Sequence, residues 1–410
     1  MAYFLCPMRV AVIGGGAAGF FAALACAARY PDSQVILLER TDKPLAKVRI
    51  SGGGRCNVTT AVTSPNDLVK HYPRGGRALK PLFHRFGPKE TVNWFLERGV
   101  ELKTEADGRM FPTTDDSQTI IECLAREVLK LRVCLRYNAR VEALKPSDNG
   151  IILSINGTDE QFDNVIVATG GSPKADGLAW LADLCHEVVE PVPSLFTFNL
   201  TDDPIVQLTG LSAPRATVRL SGSDLHASGP VLITHWGLSG PAILRLSSLA
   251  ARWLAQRDYQ AEVVVNWTGI GNEEEVRSAL NAQKTQHPKA LVKGSNPYQL
   301  PARLWEHLCV QVGLNVGLTY AELGGKQLNR LVNTLMNDAH AIHGKTTFKE
   351  EFVTCGGISL DSVDMRTMQS RAVPQLYFAG EVLDIDGVTG GFNFQAAWTT
   401  GFVAGQLGAP

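Results

Sequence analysis

What this chain lacks bounds it before any motif is read. Its eight cysteines never approach CxxC spacing, the closest pair being Cys123 and Cys134. Neither a local zinc site nor a thioredoxin-like dithiol is encoded, and no metal is expected. Scattered thiols of this kind suit a reducing cytosol. The net charge is only -1, so the whole chain exerts no general attraction on nucleic acid or an anionic membrane. No apolar run approaches the ~20 residues of a membrane span. The apolar opening residues lack the basic start of a secretory leader, which leaves Met1 and Met8 as alternative starts. A cytoplasmic protein with no membrane partner is expected.

What is present begins at once. Arg9 to Ile13 reads as a buried strand, Gly14-Gly-Gly16-Ala17-Ala18-Gly19 as a glycine turn, the Ala-rich stretch to Arg29 as a helix, and Val35 to Leu38 as a second strand ending on Glu39. In such a βαβ unit Gly14 makes the sharp turn, Gly16 lets backbone approach a pyrophosphate, and Gly19 lets the helix pack on the sheet. The pyrophosphate meets the positive helix end formed by Ala17 and Ala18. Glu39, with Arg40 beside it, lies about twenty residues on, where an acid accepts from ribose hydroxyls and repels a 2′-phosphate. An adenosine dinucleotide with a free ribose is implied. This fingerprint alone does not decide between NAD and FAD.

At 410 residues the chain exceeds one ordinary core, and two or three domains are expected. Helical patterning runs from about Pro81 to Arg98, and Asp115-Asp-Ser117 reads as a cap for a helix to about Lys130. Val133, Leu135 and Tyr137 alternate as in a strand. Ile151 to Ile155 and Phe162 to Val167 flank the turn-like Asn156-Gly157, predicting an antiparallel excursion. From about Pro191 short alternating segments predict a β-rich, barrel-like insert, followed by a helical portion between about Asn272 and Ala341. Ser239-Gly-Pro241 reads as the opening of a helix over 242–249, with Ser239 near the cap. Gln375 to Ala379 returns as a buried strand and Gln395 to Gln406 as a closing helix. The expected architecture is α/β: a Rossmann-like FAD-binding domain over 1–190 and 345–410, interrupted by an insert over 191–344 that carries the substrate side.

Four stretches extend the argument beyond adenosine: Lys47 to Asn57 (KVRISGGGRCN), Asp107 to Pro112, Thr234 to Pro241 (THWGLSGP) and Phe378 to Asp384 (FAGEVLD). In order and spacing they resemble the signature blocks of the BaiN-like (YhiN/RdsA-type) flavoproteins, a FAD-dependent branch of the glutathione-reductase-type fold, along nearly the whole chain. Thr60 departs from the Asn of many relatives, which bears on the subfamily. The residues support flavin on their own terms. Ser51-Gly52-Gly53-Gly54 can expose successive N–H groups as an anion nest, with Lys47, Arg49 and Arg55 as cations beside it. Cys56 stands without a second thiol, so no dithiol relay exists there; it and Asn57 are expected to pack against the cofactor. Ala168-Thr169-Gly170 ends a buried strand, where backbone comes close to a cofactor. Val141 resembles the position whose backbone meets adenine in this fold.

The C-terminal block argues most strongly for FAD. Gly380-Glu381 and Asp384 end a strand with two acids, as a ribityl chain requires. Gly390-Gly391, with Asn393, Gln395 and Ala396, opens a helix whose N-terminus suits the pyrimidine edge of an isoalloxazine; it would stabilise reduced flavin by ~0.5 to 2 kcal/mol. No second GxGxxG follows Gly19, so NAD(P)H would act only as a transient reductant, with ping-pong kinetics.

The resemblance implies oxidoreductase chemistry, hydride transfer to an electron-poor alkene. Its branches are associated with enone steroid intermediates and with uridine in ribosomal RNA. A small-molecule substrate is the leading expectation. His235 is the candidate proton donor, because it lies in the most distinctive insert motif and has a tunable pKa. RNA is the alternative partner, through a run from Lys70 to Lys89 that includes Arg74, Arg77, Lys80 and Arg85 without an acid and interleaves Tyr72, Phe83 and Phe86. A solvated helix face packed by its aromatics accounts for the same run. A FAD-containing RNA-binding or assembly factor without redox turnover is the reading from another class.

Overall fold

Consecutive β-branched and leucine residues make Arg9–Ile13 and Gln34–Leu38 strands that are buried on both faces, as central strands of a parallel sheet must be. In the computed structural model, which describes residues 7–346 and 353–409, Arg9–Ile13 pairs in parallel with Gln34–Leu38 on one side and Asn164–Val167 on the other. Leu376–Phe378 extends the sheet in parallel beyond Asn164–Val167, and Cys134–Arg136 beyond Gln34–Leu38. The seven-stranded sheet is completed by two short antiparallel strands at one edge. Residues 1–6, where the absence of a leader was read, lie outside the described residues. The chain divides into two units, 1–193 with 349–410 and 194–348.

Within the first unit, the helix Ala17–Arg29 lies against the C-terminal helix Phe392–Ala404. A Cβ at Gly401 would sit 2.5 Å from the Ala18 carbonyl oxygen, and one at Gly405 would sit 2.5 Å from that of Ala22. Rising residue numbers therefore match rising residue numbers, and the helices run in the same direction in backbone contact. Trp398 seals the junction, its ring centroid 4.7 Å from that of Phe21 with the planes tilted by 42°, and donates its indole N–H to Val58 O at 2.9 Å.

The second unit is built on another seven-stranded sheet, ordered 338–343, 260–266, 212–220, 226–234, 237–239, 197–199, 345–346. Its two edge strands are successive in sequence and joined by Gly344 alone. The sheet must therefore curl until its edges meet. The helices Glu273–Gln286, Ala302–Gln311 and Gly325–Asn337 accompany it, with Trp267 and Trp305 fully buried.

Several local expectations are corrected. The helix over 81–98 is two helices, Gly76–Phe83 and Pro88–Leu96, because the Gly87-Pro88 step breaks the chain direction. Across the Asn156-Gly157 turn the antiparallel partner of Gly150–Ile155 is Thr158–Phe162, while Asn164–Val167 belongs to the parallel sheet. Asp338–His343 is a strand, not helix, its burial alternating residue by residue. The helix Pro241–Leu249 begins as expected, with Gly240 as its cap and Pro241 in its first turn; Ser239, next to the cap, is a strand residue whose hydroxyl accepts from Thr197 at 2.9 Å.

The second unit contains a buried ionic lock. His340 donates Nδ1 to Asp203 at 2.7 Å and Nε2 to Asp338 at 3.0 Å. Asp338 also accepts from the Trp267 indole at 2.8 Å and from Gln311 at 2.9 Å. Burial alone would push the imidazole down, yet the two carboxylates overcome it and raise its pKa to about 9. Burial likewise opposes ionisation of Asp203 and Asp338, and the His340 bonds hold both below the usual carboxylate value.

A raised imidazole pKa gives stability that is complete below the unfolded value and lost as pH rises through about 9. The lowered carboxylates give stability that is lost only as pH falls through their folded values. Thermal unfolding followed against pH is thus expected to show this unit weakening between neutral pH and about pH 9. His340→Asn should lower the plateau and flatten that alkaline slope; an unchanged slope would refute the lock. In the first unit, Gly401→Leu should cost about 1–3 kcal/mol through overpacking, read from the denaturant midpoint. Gly16→Ala should be near neutral in the cofactor-free protein, because a Cβ there meets no protein atom within 4 Å.

Candidate functional site

The glycine turn shows which of its glycines the protein itself requires. Gly14 has φ +112°, and a Cβ there would lie 2.4 Å from Ala168 O; a Cβ at Gly19 would lie 1.9 Å from Gly14 O. Both are dictated by internal packing. Gly16 has an ordinary extended φ of -92° and no protein atom near its would-be Cβ. That open space would admit a group that approaches from outside the fold. No side chain caps Ala17–Arg29 and no acid lies in its first turn, so the first-turn N–H groups suit an anion. Glu39 is fixed beside them, accepting from Gly15 N at 2.9 Å through Oε2 and from Thr41 N and Oγ1 at 2.9 and 2.8 Å through Oε1. A carboxylate has about four acceptor sites, so capacity remains for a ribose hydroxyl. Arg40 is exposed next to it, and Val141 opens the strand Val141–Ser147.

The C-terminal helix presents a second N-terminus of the same kind. Its cap is Gly391 at φ +87°, again without a side-chain cap or first-turn acid. A Cβ at Gly391 would lie 2.3 Å from Thr59 O. The Asn57 amide bridges the two strands of chain here, accepting from Gly391 N at 2.9 Å and donating to Thr59 O at 3.1 Å. Because Gly401 sits over Ala18 and the helices are parallel, at 1.5 Å per residue this N-terminus reaches roughly 12 Å beyond that of the first helix. Two such ends, set apart along the fold, can serve two separated parts of one extended ligand such as FAD. Two uncapped helix ends, the Gly16 approach and Glu39 together fit the group.

The loop between them is more constrained than its sequence implies. Gly52, Gly53 and Gly54 are all left-handed, at φ +60°, +70° and +84°, and Cys56 follows at +61°. Gly54 N donates to Ile50 and Ser51 carbonyls, and Cys56 N donates to Ser51 O at 2.9 Å. The loop closes on itself, so those two N–H groups do not contribute to an open anion nest. The cations are committed as well. Arg55 bonds Glu105 at 2.7 Å, lies 3.4 Å from Asp115 and stacks 4.0 Å from the Phe111 ring centroid. Arg49 donates to Gln118 at 2.9 Å. Lys47 bonds Glu381 at 2.7 Å, and the other Glu381 oxygen accepts from Thr354 N at 2.8 Å. Cys56 is fully buried, and burial pushes its thiol up to about 12, which makes it inert.

Other expected site residues divide between backbone and scaffold roles. Ala168 O closes on Gly14, Thr169 is exposed, and Gly170 at φ +77° has open space at its would-be Cβ. Gly380 N donates to Thr400 Oγ1 at 2.9 Å, and Asp384 N donates to Ile358 O at 2.9 Å. Asn393 exchanges two hydrogen bonds with the Gly387 backbone, at 2.8 and 2.9 Å. Gln395 is fully buried, accepting from Thr59 at 2.6 Å and Thr91 at 3.0 Å and donating to Thr399 at 3.0 Å. Its side chain thus faces the core and only its backbone belongs to the helix end. Ala396 and Gly390 complete that end.

The basic run is also redistributed. Tyr72, Phe83 and Phe86 are buried, so they are not available to stack bases, and that expectation is corrected. Arg74 pairs with Asp386, Arg85 donates to Arg366 O at 2.7 Å, and Lys70 pairs with Asp67 at 2.7 Å. Arg77, Lys80, His84 and Lys89 are exposed. His235, at the tip of the hairpin joining His226–Thr234 to Gly237–Ser239 in the second unit, is exposed with its ring 3.8 Å from that of Trp236. Sequence reasoning passed over Gly401, Gly405, Thr41, Phe111 and the Arg74–Asp386 pair; the i, i+4 glycines in an otherwise bulky closing helix were the one signal available. No helix among the described residues is long and apolar enough to cross a membrane.

Comparison with known proteins gives the family. The family described as "HI0933-like protein Rossmann domain" matches residues 8–407. A 3-dehydro-bile acid delta(4,6)-reductase of Clostridium scindens is 28% identical over 98% of this chain and 99% of its own length. A ribosomal RNA dihydrouridine synthase of Escherichia coli is 29% identical over 96% of each chain. Among solved structures, a 3-ketosteroid delta1-dehydrogenase from Sterolibacterium denitrificans shares the fold at TM-score 0.50 and 13% identity, covering 98% of this chain and 99% of that one. The chain therefore belongs to the HI0933-like Rossmann family of FAD-dependent oxidoreductases.

Proposed function

We propose that this protein uses FAD, reduced by transiently bound NAD(P)H, to reduce a C=C bond conjugated to a carbonyl in a small enone-like molecule. The observation that carries the reading is the pair of parallel, uncapped helix N-termini held in fixed offset by Gly401 and Gly405. When bound, FAD would supply the two-electron chemistry. The first helix end and Glu39 would hold its adenosine half, and the Gly391 end would balance charge on its ring. The substrate class is supported by what the relatives' names share: a bile acid 4,6-alkene and the uracil ring of uridine are both alkenes conjugated to a carbonyl. His235 would supply the proton.

A second reading, reduction of uridine in ribosomal RNA, is favoured by one observation. Arg77, Lys80 and His84 recur at helical spacing on the exposed side of Gly76–Phe83 and its end, with Lys89 nearby in the chain. That surface would bind phosphates without base stacking.

The purified protein is expected to be yellow and to be bleached anaerobically by NADH or NADPH. Reoxidation by an enone steroid supports the first reading, and reoxidation by unmodified ribosomal RNA the second. Failure of every acceptor except oxygen would refute both. Gly16→Glu, which puts a carboxylate at the proposed pyrophosphate site, should abolish FAD retention. His235→Asn should lower turnover about 10²- to 10⁴-fold with FAD content unchanged; unaltered turnover would remove His235 from the reaction.

A further inference from the structure

Half of the basic run has a use unrelated to RNA. Arg74 forms a bidentate ion pair with Asp386, whose side chain is fully buried, and the two residues also make a backbone β-bridge. Around that pair the segment from His71 to Gly75 is fastened to the loop that leads into the C-terminal helix. Tyr72 donates its hydroxyl to Phe392 O at 2.7 Å. The His71 ring stacks on the Phe392 ring at 4.2 Å and 9° between planes, and its carbonyl accepts from Val388 N at 2.9 Å. A Cβ at Gly75 would strike the Ile385 side chain at 2.6 Å, so the two segments pack closely here. Phe392 is the first residue of the helix.

We infer that Arg74 and Tyr72 are positioning residues for the flavin: they fix the N-terminus of the helix Phe392–Ala404, and through it the redox potential of the bound ring. The inference rests on the proposed FAD site. Reduced flavin carries more negative charge than oxidised flavin on its pyrimidine side, and a helix N-terminus stabilises that charge only within about its first turn. The loop 384–391 contains Gly387, Gly390 and Gly391 and would otherwise be soft. A buried carboxylate that has lost its guanidinium is costly, so the loop would move to expose Asp386. The helix end would move with it. The reduced state loses more from that displacement than the oxidised state does.

The test is the midpoint potential of the FAD-loaded full chain, titrated anaerobically with dithionite against an indicator dye. Tyr72→Phe keeps the buried ring and removes one hydrogen bond, while Arg74→Lys keeps the charge and removes the bidentate geometry. Each is expected to make the potential more negative, lowering the equilibrium constant for reduction about three- to tenfold, as a partly lost helix-end interaction implies. Arg98→Gln breaks a different partly buried pair, Arg98–Glu127 at 3.0 Å. It should lower thermal stability without moving the potential. If Arg74→Lys does not fold, Tyr72→Phe decides alone. An unchanged potential in Tyr72→Phe, or an equal shift in Arg98→Gln, overturns the inference. A wild-type chain that binds no flavin would instead overturn the proposed function.

Discussion

The close contact between Ala17–Arg29 and Phe392–Ala404 is the constraint on which the first unit depends. Two helices whose interface carried ordinary side chains would stand 8–10 Å apart, and the would-be Cβ distances at Gly401 and Gly405 leave no room for a methyl group. Backbone contact fixes the separation, direction and axial offset of the helices together. It also couples the first residues of the chain to the last, which is why a domain interrupted by a long insert still forms a single sheet and a single site. Around this contact the helix ends are kept free of first-turn acids and side-chain caps, which suits them to an anionic ligand.

Fixed helix ends need a fixed loop between them, and the chain achieves this with ion pairs around glycine. The three left-handed glycines of 52–54 are intrinsically soft. They are held by Ser117 N donating to Gly54 O at 2.8 Å, by Phe111 beneath Gly52, and by Arg55 clamped to Glu105. The same logic recurs at 384–391 with Arg74 and Asp386. Cations that look like phosphate ligands in the sequence thus act largely on the protein's own acids. The site owes its positive character to oriented backbone dipoles more than to side-chain charge.

How much of this the sequence reveals depends on the range of the interaction. The first strand–turn–helix–strand is legible because its glycines, its helix and Glu39 lie within one local unit. The closing strand and the Gly390–Gly391 helix start are legible for the same reason. The destinations of Arg55 and Arg74 are not, because Asp386 is remote in sequence from Arg74 and nothing local distinguishes a paired arginine from an exposed one. Asp338–His343 was misread although its alternation of Asp, His and Ile with alanine has a strand period; alanine's helix preference masked it. The break at Gly87-Pro88 was available and outweighed by the apolar periodicity on either side. The lock at His340 brings together Asp203, Trp267, Gln311 and the Asp338–His343 strand, four separate segments, and could not be read from any one of them.

The central claim is that one ligand spans both helix ends. Titrating the cofactor-free chain with FAD, with FMN and with ADP by calorimetry tests it most directly. FMN lacks the adenosine that Glu39 would hold and ADP lacks the ring that the Gly391 end would face, whereas FAD engages both. The account predicts that FAD binds at least about 100-fold more tightly than either fragment, since linked sites gain through effective concentration. Equal affinity for FAD and FMN would contradict it.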